Sequence, residues 1–206
     1  MITTACLAAS LILTPMIAPT LVQDVPKVGD EVAVLETGKG QIVVMFLPDV
    51  APNHVNNFKS LAKEGFYDGT RFHRCIANFM IQGGDPNSAD LGKSSLWGQG
   101  GKLNADGSRR TVNAEFNATK HKRGVLSMAR SSDPNSAGSQ FFIMVADAPH
   151  LDGKYSAFGQ VVTGMEVVDQ IVVTGDPNDN GKVIPSAAIV LKSVKVVKWP
   201  IEKGGR

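Results

Sequence analysis

Arg74 is the first residue whose type and position ask for a chemical reason. In Phe72-His73-Arg74-Cys75-Ile76 the two-residue period of a strand puts Arg74 on one face with Phe72 and Ile76. A guanidinium there is either paired with a carboxylate and structurally satisfied, or held beside apolar surface to donate hydrogen bonds to a ligand. Parity alone leaves both open. The second such segment is Ser139-Gln140-Phe141-Phe142-Ile143-Met144-Val145. Phe141, Ile143 and Val145 make one apolar face, and Gln140, Phe142 and Met144 make the other. An amide beside an aromatic ring and a thioether suits a groove for an apolar group flanked by peptide. The plainer alternative is a second core layer with Gln140 at its margin.

Covalent chemistry finds little support. The sequence holds no His-Glu-x-x-His, no paired Cys-x-x-Cys, no Walker loop and no Gly-x-Ser-x-Gly elbow. Gly98-Gln99-Gly100-Gly101 is glycine-dense but lacks the spacing and the strand-to-helix setting of a dinucleotide loop. His54, His73, His121 and His150 are scattered, none beside another ligand at metal spacing, and read as surface or satisfied histidines. No metal and no cofactor is expected.

The elements that must position these residues are short. Glu31 to Thr37 and Gln41 to Leu47, rich in Val, Ile and Phe and joined through Gly38-Lys39-Gly40, predict a β-hairpin. Pro52, then Val55, Phe58, Leu61 and Ala62, then Gly65 supply the start, stripe and stop of an amphipathic helix. Thr70 to Ile76, Phe79 to Gln82, Gly124 to Arg130, Ser139 to Ala146, Tyr155 to Val161 and Ala187 to Trp199 read as further strands. Met165 to Val173 predicts a second helix, and Gly83 to Asp106 reads as loop. Many short strands with two helices point to a sandwich or a closed barrel.

Composition narrows the function classes. The chain has 206 residues, enough for one domain with an appendage. With 43% apolar and 19% charged residues it can bury a core. A net charge of +2 with no long basic block gives nucleic acid no support as a partner. Two cysteines, Cys6 and Cys75, are too few for a disulfide framework, and Cys75 reads as a small core residue. Residues 1–23 contain no Asp, Glu, Lys or Arg, but the apolar run from Ala5 to Ile17 is too short and broken to span a bilayer. It fits a secretory signal peptide, although the n-region lacks a basic residue and no clean Ala-x-Ala follows; an uncleaved tail is the alternative. Export, periplasmic or secreted, is the expected destination, with the cytoplasm as the alternative. Residues 24–30 read as a linker, 31–199 as the folded domain and 200–206 as a tail.

Several stretches, taken in order and at compatible spacing, resemble the cyclophilin family of peptidyl-prolyl cis-trans isomerases. They are Phe72-His73-Arg74, Asn78 to Asp85, Gly124 to Ala129, Gly138 to Ile143, and Leu151-Asp152-Gly153-Lys154 leading to Phe158-Gly159. The likeness spans about Glu31 to Trp199 and looks like the smaller, bacterial-type branch. It implies a mostly β fold, a closed eight-stranded antiparallel β-barrel capped by two α-helices, with a packed interior and a groove on the outer face. It implies an enzyme that accelerates rotation about Xaa-Pro bonds and assists protein folding, acting as a monomer on proline-containing peptides and folding clients.

Residue by residue, the resemblance puts Arg74 and Gln82 at catalytic positions. Phe79, Met80, Ala129, Gln140, Phe142 and Leu151 fall on the proline pocket and groove, and Arg130 and Ser131 where backbone contacts to peptide are expected. Because strict alternation would set Phe79 opposite Met80 and Gln82, a bend or bulge is predicted near Asn78. Two positions depart from the best-known members: His150 stands where Trp is frequent, and Tyr155 where His is frequent. Losing the indole predicts weak binding of cyclosporin, whereas Tyr155 keeps an aromatic wall. Gly98 lies in the stretch Pro86 to Phe116, which departs most and leaves the pocket beside the proline site open. Two rivals are a cyclophilin-fold module that binds proline segments with little turnover, and a small hollow barrel for an apolar ligand.

Overall fold

Two continuous apolar runs, Val32 to Leu35 and Ile42 to Val44, pair first along the chain. Strands β1 (Glu31–Thr37) and β2 (Gly40–Phe46) form an antiparallel hairpin with Val34 opposite Val43, within one residue of the predicted bounds. A computed structural model describes residues 25–201. The predicted signal segment 1–23 and most of the predicted 200–206 tail lie outside the described residues.

Helix α1 (Pro52–Lys63) follows, with Pro52 in its first turn and Val55, Phe58, Leu61 and Ala62 buried. No side chain of its own caps the free N–H groups at its start. Glu115 does so from a distant loop, its carboxylate accepting from the amides of Asn53 at 3.0 Å and His54 at 2.9 Å. Six further strands complete the sheet: β3 (Arg74–Ile76), β4 (Met80–Gly83), β5 (Val125–Met128), β6 (Phe141–Met144), β7 (Ala157–Thr163) and β8 (Leu191–Lys198). Helix α2 (Met165–Val172) buries Val167, Val168 and Ile171.

All pairings are antiparallel, in the order β3-β4-β6-β5-β7-β2-β1-β8. Register shifts at Glu36/Thr37, Val43/Val44 and Leu126/Ser127 add curl to the sheet. The expected closed barrel is not formed: β3 and β8 remain edges of an open, curled half-barrel. Between them run one isolated bridge, Arg71 with Val190, and single hydrogen bonds such as Phe72 N–H to the Ile189 carbonyl at 3.1 Å. The physical reason is length and shape. β3 has only three residues, and it is the segment before it, Gly69 to Phe72, that meets residues 189–191 at the start of β8, so β3 itself never pairs with β8.

The concave side is filled. Phe58 of α1 sits at the hub of an aromatic cluster, its ring centroid 4.9 Å from Tyr67, 5.5 Å from Phe141 and 5.5 Å from Phe158. Packed rings with buried Leu35, Ile42, Ile81 and Leu126 leave that face to structure, against the hollow-barrel alternative. The stretch predicted as loop, Gly83 to Asp106, holds two 3-10 segments, Pro86–Ala89 and Leu91–Leu96. Asp85 and Asp90 cap them, each side chain accepting from the amide two residues on.

Candidate active site

The convex face of β4 and β6 carries a second apolar cluster of Met80, Phe142, Met144 and Leu151, with Phe79, Ala129 and Tyr155 packed at its edge. Strand alternation places it there. Phe141, Ile143 and Val145 enter the main core, while Phe142 and Met144 face outward, as the period-two pattern of Ser139 to Val145 predicts. The cluster opens into a groove of about 750 Å³, lined among others by Arg74, Phe79, Met80, Gln82, Phe142, Leu151 and Tyr155.

Phe79 reaches the groove because the chain turns before it. Asn78 adopts a left-handed φ of 59° in a tight turn, and β4 begins only at Met80, whose partner is Ile76. This is the predicted bend. It brings the Phe79 ring 5.7 Å from the imidazole of His150, which forms the exposed outer wall. On the opposite side Tyr155 packs edge-on against Phe142 at 5.7 Å.

Strand parity does not hold between Phe72 and Arg74. Phe72 is fully buried in the main core, and so is Cys75, whereas Arg74 faces the groove. Phe72 and His73 precede the strand, so alternation starts at Arg74 and does not carry back to Phe72. Beneath the arginine, burial pushes the Cys75 thiol up to about 12, an inert core group as expected.

No carboxylate lies within ion-pair distance of Arg74 among the described residues. Its Nε donates to the Asn180 carbonyl at 3.1 Å, Nη2 to Asn180 Oδ1 at 2.9 Å, and Nη1 to Gln82 Oε1 at 3.5 Å. A guanidinium has about five N–H groups. Three are engaged, leaving one on each terminal nitrogen for the groove. Burial holds the Arg74 pKa below the ordinary arginine value, with Tyr155 opposing, yet a guanidinium stays charged.

Gln82 continues a one-way chain of donors. Its Nε2 donates to Gln140 Oε1 at 2.9 Å, and Gln140 Nε2 donates to the carbonyls of Gly98 and Gly100, each at 2.9 Å. Since arginine can only donate, the orientation of both amides follows from Arg74. Gly98 is held in turn by Asp85, which is fully buried and accepts from its amide. A Cβ on Gly100 would lie 2.0 Å from Asp85 Oδ1, so this approach requires glycine. The glycine run is thus a structural wall beside the groove.

Gln140 and Ser131 line a smaller side pocket of about 290 Å³ rather than the main groove; Gln82, Gly98, Ala129 and Arg130 border both. The Arg130 side chain lies over the Tyr155 ring at 4.5 Å and donates to the Lys154 carbonyl at 3.0 Å. It thereby fixes Tyr155 against the Phe142 side of the groove. All thirteen residues singled out in the sequence border one of these two adjoining cavities.

Others were missed. Trp97, Asn180 and Lys182 also line the groove, as does His73, whose buried ring nitrogens have no hydrogen-bond partner. His54 and His121 are buried against carboxylates, with Nδ1 2.6 Å from Glu115 and 3.4 Å from Asp152. His54 and His121 are thus interior histidines with carboxylate partners, in line with the satisfied alternative, whereas His73 is buried without a partner. Among the described residues no group of three His, Cys, Asp or Glu is arranged to hold a metal. Asn180-Gly181 in the sequence signals a turn, but nothing in it points toward Arg74.

Comparison with known proteins identifies the family. The family described as "Cyclophilin type peptidyl-prolyl cis-trans isomerase/CLD" matches residues 32–196. A "Probable peptidyl-prolyl cis-trans isomerase" of Brucella abortus is 41% identical over 157 residues, 75% of this chain and 77% of its own. The "Peptidyl-prolyl cis-trans isomerase-like 1" of Rhizopus delemar is 41% identical over 169 residues, 82% of this chain and 96% of its own. A cyclophilin type isomerase of Cryptosporidium parvum, solved in the presence of the dipeptide Ala-Pro, superimposes with a TM-score of 0.68 at 32% identity. The match covers 81% of this chain and 99% of that one. With a family match over residues 32–196 and relatives about 41% identical, the chain belongs to the cyclophilin-type peptidyl-prolyl cis-trans isomerases.

Proposed function

We propose that the groove catalyses rotation about Xaa-Pro bonds by binding the twisted amide better than either planar form, with Arg74 as the catalytic donor. Rotation breaks no covalent bond, but it must overcome amide resonance, a barrier of about 18–20 kcal/mol. Only interactions stronger in the twisted state lower that barrier. There the prolyl nitrogen turns pyramidal and recovers a lone pair, which an N–H can approach. The observation that carries the reading is the Arg74 guanidinium at the mouth of an apolar pocket, with no carboxylate in ion-pair distance among the described residues and with two N–H groups unclaimed.

Met80, Phe142 and Leu151 form an apolar seat for a pyrrolidine ring, and Phe79 and Tyr155 wall it. Gln82 and the backbone near Arg130 and Ser131 hold the peptide on one side so that the other rotates. A barrier lower by about 7 kcal/mol corresponds to roughly 10⁵-fold acceleration. The Cryptosporidium protein was solved in the presence of Ala-Pro, which supports proline-containing segments as the ligand class. The wider reading is a monomeric general folding helper of the bacterial-type branch, supported by the Brucella relative, with weak cyclosporin binding because His150 lines the outer wall.

A protease-coupled assay on an alanyl-prolyl tetrapeptide tests the site. Arg74→Ala should lose about two orders of magnitude in kcat/KM while remaining folded, the order expected for a charged donor made in the transition state. Unchanged turnover would overturn the assignment. Export is proposed from the uncharged residues 1–23. N-terminal sequencing of the native protein should find the segment removed, and an intact Met1 or Ile2 would contradict it.

A further inference from the structure

An arginine on a three-residue edge strand has four rotatable side-chain bonds and little neighbouring strand to fix them. Its order must come from elsewhere, and the only close-range acceptors it meets among the described residues belong to Asn180, since the bond to Gln82 is at the 3.5 Å limit. We propose that Asn180 is a positioning residue that sets the Arg74 guanidinium for isomerisation. This rests on the reading of Arg74 given above.

The loop bearing Asn180 is built against β3. Within it the Gly181 amide donates to the Asp176 carbonyl at 2.8 Å and the Lys182 amide to the Asp179 carbonyl at 2.9 Å, closing a tight turn. Its far side joins the strand: the Cys75 amide donates to the Gly181 carbonyl at 2.7 Å, and the Val183 amide to the His73 carbonyl at 3.1 Å. A Cβ on Gly175 would lie 1.8 Å from the Cys75 carbonyl oxygen, and one on Gly181 2.4 Å from it. Two glycines therefore let the loop touch the strand backbone directly.

In that seat Asn180 takes a φ of 49°, left-handed and uncommon outside glycine. Its carbonyl meets Nε and its Oδ1 meets Nη2, so one residue presents two acceptors to one edge of the guanidinium fork. With Nη1 directed at Gln82, one N–H on each terminal nitrogen is left for the groove. A carboxylate could present two oxygens as well, but its charge would draw the guanidinium into an ion pair. The neutral amide orients the donor and leaves its charge available, which is preorganisation for a charge-sensitive step.

The alternative is that asparagine is there only because the turn needs a left-handed residue. Asn180→Gly separates the two, since glycine adopts that φ freely and keeps the carbonyl while removing Oδ1. The full chain is assayed on an alanyl-prolyl tetrapeptide, with kcat and KM resolved, as wild type, Asn180→Gly, Arg74→Ala and the double variant. Positioning predicts that Asn180→Gly lowers kcat about 10-fold with KM unchanged, the scale of one charge-assisted hydrogen bond. In the Arg74→Ala background the same exchange should change kcat less than about 2-fold, because coupled residues are not additive. Wild-type kcat in Asn180→Gly beside a crippled Arg74→Ala would sink the inference alone. An equal fold-loss in both backgrounds would do the same. If Arg74→Ala turns over as fast as wild type, the reading of Arg74 fails and the inference falls with it.

Discussion

On one face of β4 and β6 stand Ile81, Phe141 and Ile143, fully buried under α1; on the other Met80 and Phe142, almost as buried, front the groove, with Met144 packed behind them. Both faces are apolar, so composition does not separate them. What differs is what lies above each. The concave face is sealed by Phe58 and Tyr67, whereas the convex face is edged by Arg74, Gln82 and Gln140, whose hydrogen bonds run sideways around the cluster instead of over it. The same alternation thus gives one pair of strands a structural side and a binding side. The polar frame rests on the packed side, and that lends it rigidity.

Substitutions at adjacent positions should break the comparison if it is false. Phe141→Ala removes a ring that contacts Phe58, Tyr67 and Phe72. It should destabilise the fold by about 3–5 kcal/mol in denaturant titration. Specific activity of the molecules that remain folded should survive. Phe142→Ala should do the reverse, costing less stability than Phe141→Ala but about 2 kcal/mol of proline-pocket contact, roughly 30-fold in kcat/KM. Equal stability losses with equal activity losses would show that the two faces are one core.

How much of this was legible follows from where the backbone is regular. The β1–β2 hairpin is legible from two apolar runs around a glycine turn, and α1 and the division of Phe141 from Phe142 from unbroken periodicity. Period two sets Phe72 and Arg74 on one face only if the strand runs through His73, where there is none. The closed barrel failed for a related reason: counting strands says nothing about whether the first and last edges meet. Asn180 lies 106 residues from Arg74, and no local signal spans that distance. Asp85 likewise falls in the stretch read only as loop and becomes a pin for Gly98 only through the fold.

A smaller effect is expected at the outer wall. His150→Trp should restore an indole beside Phe79 and tighten cyclosporin binding about 10-fold, or about 1.4 kcal/mol, by titration calorimetry. No gain would place the limit on that ligand in the side pocket instead.

The smallest expected effect lies in the support behind the groove. His121 is stacked on Phe142 and 3.1 Å from Ser127 Oγ, and burial lowers its pKa against the opposing hydrogen bond from Asp152. A depressed folded-state value means that the unfolded chain takes up the proton first. The contribution of His121 to stability is therefore present above the unfolded value of about 6.5 and is lost as pH falls through the lower folded value. His73, also lowered by burial, acts in the same direction. The melting temperature should fall modestly between about pH 7 and pH 5, and less in His121→Gln. A melting temperature that rises on acidification in this window would reverse the assignment.

The central claim is that Arg74 acts in the twisted state and not merely in binding. NMR exchange spectroscopy on an alanyl-prolyl peptide, comparing wild type with Arg74→Lys, tests it most directly. Lysine keeps the positive charge but loses the planar fork that Asn180 and Gln82 hold. Peptide affinity should remain within about 3-fold while the cis-trans exchange rate on the enzyme falls at least about 10-fold. Exchange at the wild-type rate, or a loss confined to affinity, would contradict the account.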